Sequence, residues 1–304
     1  MKNIKYLGRG IHKEKFLKSL KDGNLRLMLN VINKDNDLDV QIRNNYLNIY
    51  YKGGNIAKVN SENSIEFDMF YFYLDMKNRP KKVIKDDLEV VRNLKSKRDL
   101  LIRKFKNRDY EGYFKEAKGI MDQWLKENPK PERMEQHKFS IDNQYNQSDY
   151  TIIDLEYQVS TLSDFACTFI PKGKDKPKKP RFDIIAINKK GELCVIELKK
   201  GIGSLGNTSG LKEHWDCYQQ SIGSNYQSFM NEMKKLLEQK QVFNLIDKRV
   251  KIECQMPKFM FAYAYDEKKS IDEQDDKFQK EYSSINKSIH IIKSLFNRNT
   301  NKRY

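Results

Sequence analysis

The chain has 304 residues, room for two domains or one elaborated domain, and its 58 Lys and Arg against 42 acids give a formal net charge of +16. That surplus calls for an anionic partner, most commonly nucleic acid, although a lysine-rich compositional bias produces the same number. No stretch nears the roughly 20 apolar residues of a bilayer span, the opening MKNIKYLGRG lacks a signal peptide's apolar core, and Cys167, Cys194, Cys217 and Cys254 are too dispersed for a zinc site or a disulfide framework, so a reduced cytoplasmic setting without membrane is expected.

Residues 1–80 read as a small antiparallel β-meander with a helix at its start. LDVQIR, the turn dipeptide Asn44-Asn45 and YLNIYYKGG alternate apolar and polar residues around a point that tolerates positive φ, a hairpin signal. Gly53-Gly54 then turns into NIAKVN, and SIEFDMFYFYL adds a fourth strand. Residues 81–130 form a helical connector. Asp86 or Asp87 can cap a helix with apolar positions Leu88, Val91, Leu94, Leu101 and Phe105. A second helix starts near Tyr110 and places Tyr113, Ala117, Ile120, Met121, Trp124 and Leu125 on one face until Asn128-Pro129 stops it. Pro131 then suits the first position of a third helix, PERMEQHKFSIDNQ.

Residues 131–304 form the last domain. TIIDLEYQV, RFDIIAIN and ELCVIELKK read as strands rich in β-branched residues, with the basic loop PKGKDKPKKP exposed between the first two. A glycine-rich segment, helical sequence from about Leu211 to Lys240 and the strand KFMFAYAY follow. Beyond these, only the apolar patch IHIIKSLF stands out.

The chemistry concentrates on one hairpin. Lys189-Lys190-Gly191 is a three-residue connection with glycine where a bulged turn needs positive φ. If Asn188 faces Glu192, Asp183 falls opposite Glu197, and alternation sets Lys199 on the face of Glu197. Facing carboxylates repel in a purely structural sheet. A divalent cation reverses that sign, because Mg²⁺ takes oxygen ligands and uses one or two carboxylates besides water and phosphate. Lys199 could then orient a water or stabilise the transition state. The alternative, a capped strand end and a surface ion pair, is a common and weak arrangement, but here the charges end an apolar strand where sheet would meet a cleft.

Asp183, followed on the next strand by Glu197-Leu198-Lys199, resembles the signature of the PD-(D/E)xK nuclease superfamily, with Phe182 where the literal signature has proline and Pro180 close by. The order helix, three strands, helix, strand over residues 131–265 is similar to that superfamily's restriction-endonuclease-like αβββαβ core, a mixed sheet flanked by helices. The resemblance implies Mg²⁺- or Mn²⁺-dependent phosphodiester hydrolysis, usually of DNA, with Asp183 and Glu197 as metal ligands and Lys199 as the catalytic lysine. Members often add an acid from the preceding helix, for which Glu132 and Glu135 are equal candidates, and Glu156 could reach the metal from the neighbouring strand. DLEYQ, RFDIIAIN and VIELKKG together look similar to bacterial phage-defence or restriction-type proteins. A homodimer or a partner protein in a defence complex is compatible with this reading. The rivals are a non-catalytic nucleic-acid-binding or assembly module on the same fold, and an RNA endonuclease.

Other signals are weaker. Gly201-Ile202-Gly203-Ser204-Leu205-Gly206 matches a dinucleotide fingerprint but lacks the acid-ended second strand such a site needs. His214 and Asp216 could form a proton relay, against the more frequent solvated helix face, and Gln219 and Gln220 could contact substrate on similar grounds. IYYKGG and the loop 172–181 offer lysines, the former with aromatics, for nucleic-acid contacts.

Overall fold

The computed structural model describes residues 8–68, 71, 88–143, 149–159, 181–205, 210–223, 226–266, 268–283 and 290–293. The chain divides into two units, one of Arg9–Ile141 with Glu238–Ile246, the other formed chiefly by Asp142–Leu237 and the residues from Asp247 onward. The protein is mixed α/β, with one antiparallel sheet and one mixed sheet flanked by helices.

In the first unit, helices α1 (Glu14–Lys21) and α2 (Asn24–Lys34) precede strands β1 (Leu38–Ile42), β2 (Leu47–Tyr51), β3 (Gly54–Ser61) and β4 (Ser64–Glu66). The strands pair antiparallel in chain order. Asn45 takes φ +59°, as its turn requires. The fourth strand is shorter than its sequence suggests. After Glu66 the rings of Phe67 and Tyr71 meet edge to face at 6.0 Å, and Tyr71 meets Trp124 at 5.1 Å. Aromatic packing has replaced ladder pairing there, and most of the expected strand beyond it lies outside the described residues.

Helices α3 (Leu88–Lys106), α4 (Tyr110–Glu127) and α5 (Pro131–Asp142) follow. Asp109 caps α4 by accepting from Gly112 N at 2.9 Å. The face of α4 buries Tyr113, Ala117, Met121 and Trp124, while Ile120 and Leu125 sit half-buried at its margins. The caps expected at Asp86 or Asp87 lie outside the described residues.

The meander buries both of its faces. Register pairs Leu38 with Tyr51 and Val40 with Ile49 on one face, and Asp39 with Tyr50 and Gln41 with Asn48 on the other. All these residues are buried. Most groups of the polar face are bonded, although Asn48 Oδ1 is buried without a partner. Asp39 accepts from Gln41 Nε2 at 2.7 Å and from Ser140 Oγ at 2.6 Å, and Lys240 Nζ donates to Gln41 Oε1 at 3.0 Å. His137 Nε2 lies 3.3 Å from Tyr50 O. Helix α5, expected beside the later strands, therefore belongs with the meander, and residues 238–246 join it there.

The second unit carries β5 (Tyr150–Gln158), β6 (Arg181–Asn188), β7 (Leu193–Lys200), α6 (Leu211–Ser221), the first part of α7 (Tyr226–Val242), β8 (Lys258–Ala264), α8 (Ile271–Ser283) and β9 (His290–Lys293). Sheet order is β5-β6-β7-β8-β9, with antiparallel pairing up to β7 and parallel pairing after it. The helix expected over 211–240 is two helices that part after Ser221. Strand β5 packs on α7 through Tyr157, whose ring meets Phe229 at 5.3 Å and whose hydroxyl donates to Glu232 at 2.7 Å. Tyr263 of β8 donates to Gln274 of α8 at 3.2 Å and packs on Phe278. Cys217 on α6 is disulfide-bonded, against the expectation from spacing, while Cys194 and Cys254 are free thiols. Among the described residues no helix is long and apolar enough to cross a membrane.

Replacing Ser140 with alanine strips a donor from a buried carboxylate. Chemical denaturation should show a loss of about 1.5–3 kcal/mol, the range for hydrogen bonds to charged groups.

Candidate active site on the β6–β7 hairpin

The hairpin turn is fixed by its own side chains. Asn188 Oδ1 accepts from Lys190 N at 2.9 Å and Glu192 N at 3.0 Å, closing a side-chain-supported turn. Gly191 takes φ +73° and receives Glu253 N on its carbonyl at 2.8 Å. A Cβ there would lie 2.8 Å from Glu253 Cγ, so both conformation and space demand glycine.

Asn188 N donates to Glu192 O, and the register runs through Ile187↔Leu193 to Ile184↔Ile196. One step further along, Asp183 stands opposite Glu197. The strands do not close a regular ladder at that step: Asp183 Oδ2 accepts from Leu198 N at 3.0 Å. The first carboxylate is thereby oriented by the backbone of the strand that carries the second.

Glu197 is 2 % exposed and Lys199 4 % exposed, so the pair is not the surface ion pair of the alternative reading. Lys199 Nζ donates to Glu197 Oε1 at 2.8 Å. His214 comes in from α6, with Nδ1 3.1 Å from the same Glu197 oxygen and Nε2 3.1 Å from Lys199 Nζ. Burial alone would push the Glu197 carboxyl up; the positive field of His214 and Lys199 and their hydrogen bonds override it and hold it down to about 2. Glu197 is therefore a carboxylate at neutral pH. Its other oxygen, Oε2, is buried and has no hydrogen-bond partner.

Helix α6 is held over this site by aromatic rings. Tyr218 stacks on Phe259 of β8 at 4.6 Å, Trp215 lies 5.6 Å from the same ring, and Tyr218 Oη donates to Pro257 O at 2.9 Å. Asp216 points its charge elsewhere, to Lys212 at 3.0 Å, so the relay considered for His214 and Asp216 is replaced by contacts from His214 to Glu197 and Lys199. Gln219 and Gln220 are exposed. His214 is the site residue that sequence reasoning set aside; an imidazole one turn before a core tyrosine on the helix after the acid-ended strand was the available signal.

Strand β5 meets the site through a bulge. Its register against β6 shifts between Ile152 and Asp154, which leaves Glu156 between the pairs Leu155↔Ile184 and Tyr157↔Phe182, level with Asp183. Glu156 has φ +49°, and its Oε1 lies 3.5 Å from Arg181 Nη1. The bulge also buries Asp154 completely, level with Ile185, with its Oδ1 accepting from Leu155 N. A single-residue bulge inside TIIDLEYQV has no turn residue to announce it, so alternation could not place these two acids. Glu132 and Glu135 both lie on α5, in the first unit.

Among the described residues no three His, Cys, Asp or Glu side chains converge as a metal cage. The donors that do suit a hard divalent ion are Asp183 and the orphaned Oε2 of Glu197, two carboxylates of the kind Mg²⁺ uses alongside water and phosphate. Gly201, first glycine of the apparent fingerprint, has φ +68° and donates to Ala264 O at 2.9 Å; it extends the β7–β8 pairing before a 3-10 turn at Ile202–Ser204. Gly206 and the basic loop up to residue 180 lie outside the described residues. No family model matches the chain, and neither a curated protein nor a solved structure matches it.

Gly191→Ala should destabilise the protein by about 1–3 kcal/mol, the range for a residue forced into a sparsely populated backbone region. A urea titration followed by circular dichroism measures it.

Proposed function

We propose that the protein is a metal-dependent nuclease of the PD-(D/E)xK type that hydrolyses phosphodiester bonds of DNA, with Asp183 and Glu197 as metal ligands and Lys199 as the catalytic lysine. The observation that carries this reading is the buried, ionised Glu197 with one oxygen bound by cations and the other left without a partner, register-opposite Asp183. Burying such an oxygen is costly, since an unsatisfied buried acceptor costs about 1–3 kcal/mol and more when charged. The mixed sheet, with its antiparallel hairpin followed by helices and a parallel strand, supports a restriction-endonuclease-like core.

A bound Mg²⁺ or Mn²⁺ would supply Lewis acidity and an activated water. The chain's own residues do the rest. Asp183, anchored through one oxygen to Leu198 N, and Glu197, anchored through Oε1, are oriented before any ion arrives. Lys199 keeps an ammonium at the edge of the carboxylate pair, where it can orient the attacking water and balance charge developing on the phosphate. The net charge of +16 favours approach of a polyanion, and this approach should weaken with salt. A role in phage defence or restriction rests on the similarity of the three site strands to proteins of that kind.

Incubation of plasmid, linear duplex, single-stranded DNA and RNA with Mg²⁺ or Mn²⁺ tests the proposal. Cutting of DNA that EDTA abolishes, and that falls about 100-fold or more in Glu197→Gln and Lys199→Met, is expected. Cutting that survives both substitutions contradicts the assignment. DNA bound but not cut would favour a binding module, and RNA cut in place of DNA an RNA endonuclease.

A further inference from the structure

The contacts of His214 go beyond a list of ligands. Lys199 Nζ and His214 Nδ1 both reach the same oxygen of Glu197, at 2.8 and 3.1 Å. Two donors fill the two lone pairs of Oε1 and leave Oε2 as the one oxygen open to another cation. The ring's second nitrogen, Nε2, faces Lys199 Nζ at 3.1 Å. The imidazole thus spans the acid and the lysine of the pair, with one ring nitrogen at each.

We infer that His214 is the positioning residue of the site: its ring bridges Glu197 Oε1 and Lys199 Nζ and fixes both, so that Glu197 Oε2 is the oxygen presented to a divalent cation. This rests on the nuclease reading above. It is separable from a packing role. Helix α6 is already held by Trp215 and Tyr218 on Phe259 and by Tyr218 Oη on Pro257 O, whereas the His214 side chain is 23 % exposed. Removing the imidazole should therefore leave the fold and free the carboxylate and the ammonium to turn. The same logic makes glutamine the conservative replacement. Its amide carries one donor and one acceptor group on a chain of suitable length, whereas alanine offers neither.

A measurement on the full chain tests it. Calorimetric titration with Mn²⁺ alone is compared across wild type, His214→Ala, His214→Gln and Glu197→Gln. Loss of a group that orients a metal ligand costs about 10–100-fold in metal affinity. The alanine variant should weaken Mn²⁺ binding by about tenfold or more at unchanged melting temperature, with glutamine restoring most of it. Alanine binding like wild type, or glutamine as weak as alanine, overturns the role of His214. If wild type itself takes up no Mn²⁺ that Glu197→Gln abolishes, the metal reading fails and the role of His214 with it, whereas an unchanged alanine variant overturns that role alone.

Discussion

A carboxylate taken out of water must be met by charge and hydrogen bonds or it will not stay ionised. Glu197 is in that position, at the point where the apolar run of its strand ends, and α6 brings His214 against it. Much of the local architecture answers this demand. Lys199, two residues along the same strand, supplies an ammonium; α6, pinned by its stacked aromatics, brings His214; and the hairpin turn at Gly191 keeps Asp183 in register on the adjoining strand. The arrangement satisfies one oxygen of Glu197 and not the other. Local charge balance without function would have been simpler with no acid at all, since replacing buried ion pairs by apolar residues is often neutral or stabilising.

In the first unit a set of buried polar groups is tied together. Asp39, Gln41, Ser140 and Lys240 form a chain in which two acceptors and their donors meet. Such a network specifies how α5 and residues 238–246 seat on the meander, because shifting either leaves a carboxylate or an ammonium unbonded. Gln239 adds to this by donating to Ile11 O and accepting from Ile11 N, pairing like one rung of a sheet. The closure is not complete, since Asn48 Oδ1 on the same face is buried without a partner.

What could be read from sequence followed from short-range rules. The β6–β7 register was legible because Asn188, Gly191 and the period of two act within a dozen residues. The strands of the meander and the span of α4 were legible for the same reason. Three features were not. The periodicity of PERMEQHKFSIDNQ says that a face is buried but not against which sheet, so α5 was assigned to the wrong neighbours. The β5 bulge, which sets Asp154 and Glu156, depends on tertiary pairing and not on a marked residue. His214 reaches Glu197 only because Trp215 and Tyr218 fix the rotation of α6, a phase that no local pattern encodes. Helix α8 exposes most of its surface and carried too little apolar pattern to be found, while the four-residue β9 showed only as part of the apolar patch IHIIKSLF.

The proposed chemistry turns on whether Glu197 Oε2 and Asp183 take up a divalent ion. Crystals soaked in Mn²⁺ and measured near the manganese edge test it most directly. The expected result is an anomalous peak bonded to both carboxylates, at about 2.0–2.3 Å from Glu197 Oε2, with Oε1 still held by Lys199 and His214. A peak only elsewhere, or none beside Glu197 in crystals that take up manganese, would contradict it.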